Sequence, residues 1–166
     1  MKKILVTGGI GYIGSHTSVE LLNAGYDIVI IDNLSNSKIE VVDKIKKITG
    51  KDFKFYNEDV RNEKELDKIF KKENIDAVIH FAGLKAVGES VQKPLMYYRN
   101  NINSLINLLE LMPKYDVKGI IFSSSCTVYG QPAPENLPVT EEAPLQKALS
   151  PYGNTKQINE EIIQDY

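Results

Sequence analysis

Lys3-Ile4-Leu5-Val6-Thr7-Gly8-Gly9-Ile10-Gly11-Tyr12-Ile13-Gly14 decides the fold. A short apolar run stopped by glycines reads as a buried strand. The stretch that follows, Tyr12 to Ala24, carries Val19, Leu21 and Leu22 and meets Gly25, a helix stop. Strand, glycine turn and helix together form the opening of a parallel α/β sheet.

The same alternation continues outward. Asp27–Asp32, Phe53–Tyr56, Ala77–Phe81 and Gly119–Phe122 read as four further strands. Between them fall a lysine-rich helix from about Lys38 to Gly50 and a helix whose Leu66, Ile69 and Phe70 lie at i, i+3, i+4. A long helix begins at Pro94 and carries Ile102, Leu105, Leu109 and Met112 as a stripe. Residues 130–151 are proline-rich and read as a loop, and a last helix starts near Pro151. Right-handed crossovers then give a doubly wound, Rossmann-like sheet of five parallel strands in the order 3-2-1-4-5.

Composition narrows the function classes. With 166 residues, 42% hydrophobic and 25% charged, the chain suits one soluble domain. A net charge of −2 offers no basic footprint for nucleic acid. No apolar run is long enough for a membrane span, and no signal peptide is evident after Met1-Lys2-Lys3. The single cysteine, Cys126, fits a reducing compartment, so the expected location is the cytoplasm. Cys126 has no neighbouring zinc-ligand partner, so no metal is expected. His80, inside a strand, reads as a satisfied core residue rather than a ligand.

Gly8, Gly11 and Gly14 lie where the first strand enters its helix. A nucleotide pyrophosphate needs a tight turn, close backbone approach and free helix N–H groups there. Three glycines at one preset spacing arise by chance only about 0.05 times in a chain of this composition. Asp32 ends the second strand, where a carboxylate accepts hydrogen bonds from ribose hydroxyls and repels a 2′-phosphate, favouring NAD over NADP. The plainer alternative is that Asp32 caps the next turn. Asp59, after strand three, is placed to reach an adenine rim. Gly8, Asp32, Asp59, Phe81-Ala82-Gly83 and Ser123-Ser124-Ser125 all follow strand C-termini, the edge at which open parallel sheets bind ligands.

Tyr152 and Lys156 are four apart and share one face of the last helix. An ammonium near a phenol favours the phenolate, a base for an alcohol proton. The spacing alone is expected about once by chance, so its weight comes from its position in the helix after strand five, with the Ser125 hydroxyl just past the end of that strand.

These residues carry a family. Thr7-Gly8-Gly9-Ile10-Gly11-Tyr12-Ile13-Gly14-Ser15-His16 with Tyr152-x-x-x-Lys156 resembles the extended short-chain dehydrogenase/reductases. The segments Asp32–Ser37, His80–Ser90, Ser123–Ser125 and Ser150–Gly153 resemble the UDP-glucose 4-epimerase family within them. The resemblance implies that Gly8, Gly11, Tyr12, Ile13 and Gly14 line the NAD pyrophosphate. Asp32, Asn33, Leu34, Ser35, Asn36 and Ser37, with Asp59 and Val60, would hold the adenosine. Phe81, Ala82, Gly83, Leu84, Lys85, Asn100, Ser125, Tyr152 and Lys156 would line the nicotinamide half. Lys85, Ala86, Val87, Ser125 and Tyr152 match stretches that touch the UDP-hexose. The implied chemistry is transient oxidation at sugar C4, with Tyr152, Lys156 and Ser125 catalytic.

Family members are roughly twice as long, so the resemblance implies a cofactor-binding part with a substrate domain outside residues 1–166 and weak or no turnover. It also implies a homodimer through the helix after strand four and the last helix. Two alternatives stay open: a non-catalytic NAD-binding fragment, and a nucleotide-sugar 4,6-dehydratase. The dehydratases carry an Asp-Glu pair where this chain has Cys126 and Thr127.

Overall fold

The computed structural model describes Lys2–Tyr166. It divides into two compact units, Met1–Ala82 with Ile106–Ser123, and Gly83–Leu105 with Ser124–Tyr166.

The first unit holds the whole sheet: β1 (Lys3–Thr7), β2 (Asp27–Ile31), β3 (Lys54–Tyr56), β4 (Ala77–His80) and β5 (Gly119–Phe122). All four pairings are parallel and the order is β3-β2-β1-β4-β5, as the sequence predicts. Strand residues alternate between the two faces. Ile4, Val6, Ile28, Ile30 and Ile79 form one core with Leu22 of α1 (Tyr12–Asn23) and Val42 and Ile45 of α2 (Glu40–Thr49). Leu5, Val29 and Val78 point the other way and are equally buried. A strand buried on both faces has no polar alternate, which is why β1 and β2 read as continuous apolar runs.

Helix ends follow local chemistry. Helix α2 has Glu40 and Asp43 in its first turn and Lys46 and Lys47 in its last, matching the helix dipole, and stops at Gly50 with φ 63°. Helix α3 (Glu63–Glu73) stops at Asn74, which is also left-handed. The long α5 (Pro94–Lys114) begins at its proline as predicted, and the chain turns left-handed just beyond it at Asp116, φ 56°. There the Val117 amide donates to the Met112 carbonyl at 2.8 Å, closing a Schellman-type cap. An L residue resists this conformation, so Asp116→Gly should raise stability by about 0.5–1 kcal/mol. A melting temperature that falls instead would show that Asp116 contributes more than backbone strain.

The second unit is helical. It contains α4 (Val87–Gln92), the first turns of α5, α6 (Pro151–Asp165) and two short 3-10 turns, Cys126–Tyr129 and Pro134–Asn136. Helix α4 was not expected from sequence: six residues are too few to show a stripe. The segment 130–151 is the predicted loop apart from its single turn. The strand expected at Phe53 starts at Lys54, and the helix expected from Lys38 starts at Glu40.

Candidate functional site

In the first unit the turn from β1 into α1 is built by absent side chains. Gly8 has φ +65°, and a Cβ there would stand 2.8 Å from the Ala82 nitrogen. A Cβ on Gly14 would overlap the Gly8 carbonyl oxygen. Gly11 is less constrained, its Cβ meeting that oxygen at 3.3 Å. The sequence reading passed over Gly9, where a Cβ would lie 2.7 Å from Ile30 Cγ2. The Gly8-Gly9 pair was visible, but its second member is fixed by a neighbouring strand. The first turn of α1 closes when the Ser15 amide donates to the Gly11 carbonyl at 2.9 Å. The amides of Tyr12, Ile13 and Gly14 precede that closure and have no partner within the helix. Tyr12 and Ile13 are exposed beside them.

At the end of β2, Asp32 is buried, and the turn-capping use expected of it is visible in its carboxylate. Its Oδ1 caps the following turn, accepting from the Leu34 amide at 3.0 Å and the Ser37 hydroxyl at 2.7 Å. Its Oδ2 has no hydrogen-bond partner among the described residues. Asn33 Nδ2 donates to Asp59 Oδ2 at 3.1 Å, and Arg61 grips the same carboxylate through Nη2 at 2.6 Å and Nε at 3.0 Å. Those hydrogen bonds from Arg61 hold the Asp59 carboxyl down at about 2, against the cost of its burial. Arg61 was not singled out from sequence, although it lies two residues after Asp59. The Val60 side chain is buried and its carbonyl accepts from Asn107, so only its main chain can meet a ligand.

After β4, His80 is buried with Nδ1 2.6 Å from the Thr7 hydroxyl, the core role expected of it. Thr7 Oγ1 also accepts from the Ala82 amide at 3.3 Å, fixing the chain beyond Phe81.

In the second unit the loop from Gly83 to Ala86 is tied to α5. Asn101, fully buried, takes the Leu84 amide on Oδ1 at 2.8 Å and donates from Nδ2 to the Leu84 carbonyl and to Thr155 Oγ1, each at 3.0 Å. Asn100 Nδ2 donates to the same Oδ1 at 3.0 Å. The buried Tyr97 hydroxyl accepts from the Ala86 amide at 3.1 Å and donates to Glu89 at 3.0 Å. Tyr97 and Asn101 went unnoticed in the sequence, where they stand among other polar residues, Tyr98, Arg99 and Asn100, that give no signal of their burial. Lys85, Ala86 and Val87 are exposed beyond these ties.

Helix α6 starts with Ser150 accepting from the Gly153 amide at 3.1 Å, followed by Pro151. Gly153 lets the helix approach Ala148 and Thr127, whose Cβ atoms would be 3.0 and 3.2 Å from a Cβ there. Tyr152 and Lys156 are both buried on this helix, with Lys156 Nζ 6.0 Å from the Tyr152 ring centre. Burial pushes the Lys156 amine from 10.5 down to about 8, with a smaller opposing pull from Glu160. Ser125 Oγ caps the 3-10 turn, accepting from the Thr127 amide at 3.3 Å and hydroxyl at 3.0 Å. Its own proton therefore remains to be donated.

The residues fit a dinucleotide: a cradle that any Cβ would fill, open helix amides and an uncommitted carboxylate oxygen. The Tyr–Lys–Ser set in the second unit is of the kind that moves an alcohol proton.

Comparison with known proteins agrees. A family model described as GDP-mannose 4,6 dehydratase matches residues 5–166. UDP-glucose 4-epimerase of Bacillus subtilis (strain 168) is 58% identical over 162 residues, covering 98% of this chain and 47% of that protein. UDP-glucose 4-epimerase of Dictyostelium discoideum is 56% identical over 163 residues, covering 98% and 46%. The crystal structure of UDP-glucose 4-epimerase from Bifidobacterium longum in complex with NAD+ and UDP matches with a TM-score of 0.95 and 52% identity, covering 99% of this chain and 48% of that one. The chain thus spans about half the length of the relatives it matches. With residues 5–166 accounted for by that family model, this chain belongs to the extended short-chain dehydrogenase/reductase family, in the branch whose relatives are named UDP-glucose 4-epimerases.

Proposed function

We propose that the chain is the NAD-binding part of an epimerase that interconverts UDP-hexoses at C4. The observation that carries this is the cradle of Gly8 and Gly14 beneath open α1 amides, with Asp32 Oδ2 uncommitted at the end of the adjacent strand. The amides of Tyr12, Ile13 and Gly14 hold the pyrophosphate. Asp32 Oδ2 accepts from the adenosine ribose, the loop Asn33–Ser37 with Asp59 and Val60 flanks the adenine, and Phe81–Lys85 with Asn100 serve the nicotinamide half. The chemistry that NAD supplies when bound is reversible hydride uptake from sugar C4. Tyr152 takes the 4-hydroxyl proton and gives it back, Lys156 favours the phenolate, and the Ser125 hydroxyl donates to the same sugar oxygen. Lys85–Val87 offer contacts to the sugar nucleotide.

Relatives named as epimerases at more than half identity favour this over dehydration, and Cys126 and Thr127 supply neither a carboxylic acid nor a carboxylate base. The second reading is a unit that binds NAD without turning over substrate, and residues 1–166 span about half the length of the relatives they match. Catalysis needs the nucleotide held while the sugar turns, and that binding energy has to come from many contacts. Pairing of two copies through α5 and α6 is part of the proposal, supported by exposed Leu95 and Met96 on α5, as is a cytoplasmic location. Among the described residues no helix is long and apolar enough to cross a membrane.

Calorimetric titration with NAD and NADP tests the cofactor assignment. NAD should bind at least about tenfold more tightly, because a 2′-phosphate meets the Asp32 carboxylate. Equal affinities would remove Asp32 from the selection, and no heat with NAD would remove the cofactor reading. An assay with UDP-galactose separates the two readings: turnover at an ordinary enzymatic rate by these 166 residues overturns the expectation of weak activity.

A further inference from the structure

The loop after β2 holds a conformation that a leucine resists. Leu34 has φ 59°, in the left-handed region, so something must hold it there. Asp32 does part of this, through the Leu34 amide and the Ser37 hydroxyl. Asn33 does the rest: its Oδ1 accepts from the Ser35 amide at 3.0 Å while its Nδ2 is anchored on Asp59 at 3.1 Å.

Asp59 is an anchor because Arg61 makes it one. The guanidinium meets both carboxylate oxygens, at 2.6 and 3.0 Å, and the Arg61 amide adds a third bond to Oδ1 at 2.9 Å. With Asn33, the four acceptor positions of the carboxylate are filled. A two-pronged arginine on a carboxylate fixes orientation as well as charge, unlike an ordinary surface ion pair. The chain of contacts runs from β3's exit to β2's exit and stays within the first unit.

We infer that Arg61 is a positioning residue for the adenosine half of the cofactor: it fixes Asp59, Asp59 fixes Asn33, and Asn33 holds the Leu34–Ser37 loop in a shape that leaves Asp32 Oδ2 open. This rests on the NAD reading above. Arg61 itself acts through its neighbours and need not touch the ligand.

Arg61→Ala and Arg61→Lys are compared with the unaltered chain by amide hydrogen exchange of the free protein and by titration with NAD and ADP-ribose. In Arg61→Ala the Leu34 and Ser35 amides should exchange about tenfold faster while the β1 and β4 amides keep their protection. Affinity for NAD and for ADP-ribose should fall by the same factor, about five- to tenfold. Lysine, with one point of contact instead of two, should restore only part. Unchanged loop exchange overturns the inference, as does faster exchange spread evenly over the sheet, which marks a general loss of stability. If the unaltered chain binds no NAD, the cofactor reading fails, and with it the service to a ligand; the exchange result alone then decides whether Arg61 holds the loop.

Discussion

Gly14→Ala should abolish NAD binding and lower the melting temperature by about 10 °C, whereas Gly11→Ala should leave the melting temperature nearly unchanged. The two glycines belong to one motif, but the space around them differs. A methyl on Gly14 runs into the Gly8 carbonyl and comes within 2.9 Å of the Gly9 Cα, all backbone at the heart of the turn. No rotamer relieves that contact. Either α1 shifts away from β1 or the turn reopens, at a cost of about 3 kcal/mol. Each outcome displaces the amides of Tyr12, Ile13 and Gly14. Gly11 meets only one atom, at 3.3 Å, and its φ of −67° suits any residue. Alanine there should cost less than about 1 kcal/mol. Thermal melts and NAD titrations of both variants check this; equal losses would mean that the motif is not governed by the steric contacts described.

Lys156→Met should make the free protein more stable at pH 7 by about 3 kcal/mol, while removing the amine the proposed chemistry uses. The magnitude follows from an amine moved from 10.5 to about 8 by burial, at roughly 1.4 kcal/mol per unit. The direction follows from proton counting. Below about pH 8 both folded and unfolded chains carry the charge, and the folded one bears the full cost of burying it. Between about 8 and 10.5 the folded state has released the proton and the unfolded state has not, so stability rises with pH across that window. The advantage of methionine should therefore be greatest at pH 7 and lower and fade as the pH approaches 10.5. Denaturant melts at pH 7 and pH 10 measure it. A gain of the same size at both values would assign it to packing, and a loss at pH 7 would show that the contacts of the ammonium outweigh its burial. A residue that destabilises the protein holding it is what a functional site predicts.

The sheet was legible because its signals are local or topological. Runs such as Asp27–Ile31 need no partner to be recognised, and one handedness of crossover leaves few strand orders. The glycine turn was legible for the same reason. What escaped depended on contacts across the fold. Gly9 is constrained by Ile30 on the neighbouring strand, which no spacing within the motif reports. Arg61 gains its meaning only when the chain after β3 turns back on Asp59. The burial of Lys156 contradicts what its residue type suggests, and Tyr97 and Asn101 look like ordinary polar positions until the loop they hold is placed. Helix α4 was too short to announce itself.

The place of β1 in the middle of the sheet has a consequence for the order in which the chain can assemble. Its β2 neighbour is close behind it, Lys3 pairing with Asp27. Its other neighbour is distant: Thr7 lies beside His80, 73 residues on. On a growing polypeptide the β1–β2 pair and helix α1 are complete while the opposite edge of β1 still has no strand to receive. That edge must wait through the synthesis of two further helices and β3. Until β4 arrives, Leu5 and Val6 stand at the rim of a half-sheet, and the cradle under Gly8 lacks the Ala82 backbone that closes it. Long-range pairing of this kind slows folding, and the nascent half-sheet is the species most in need of protection from other chains.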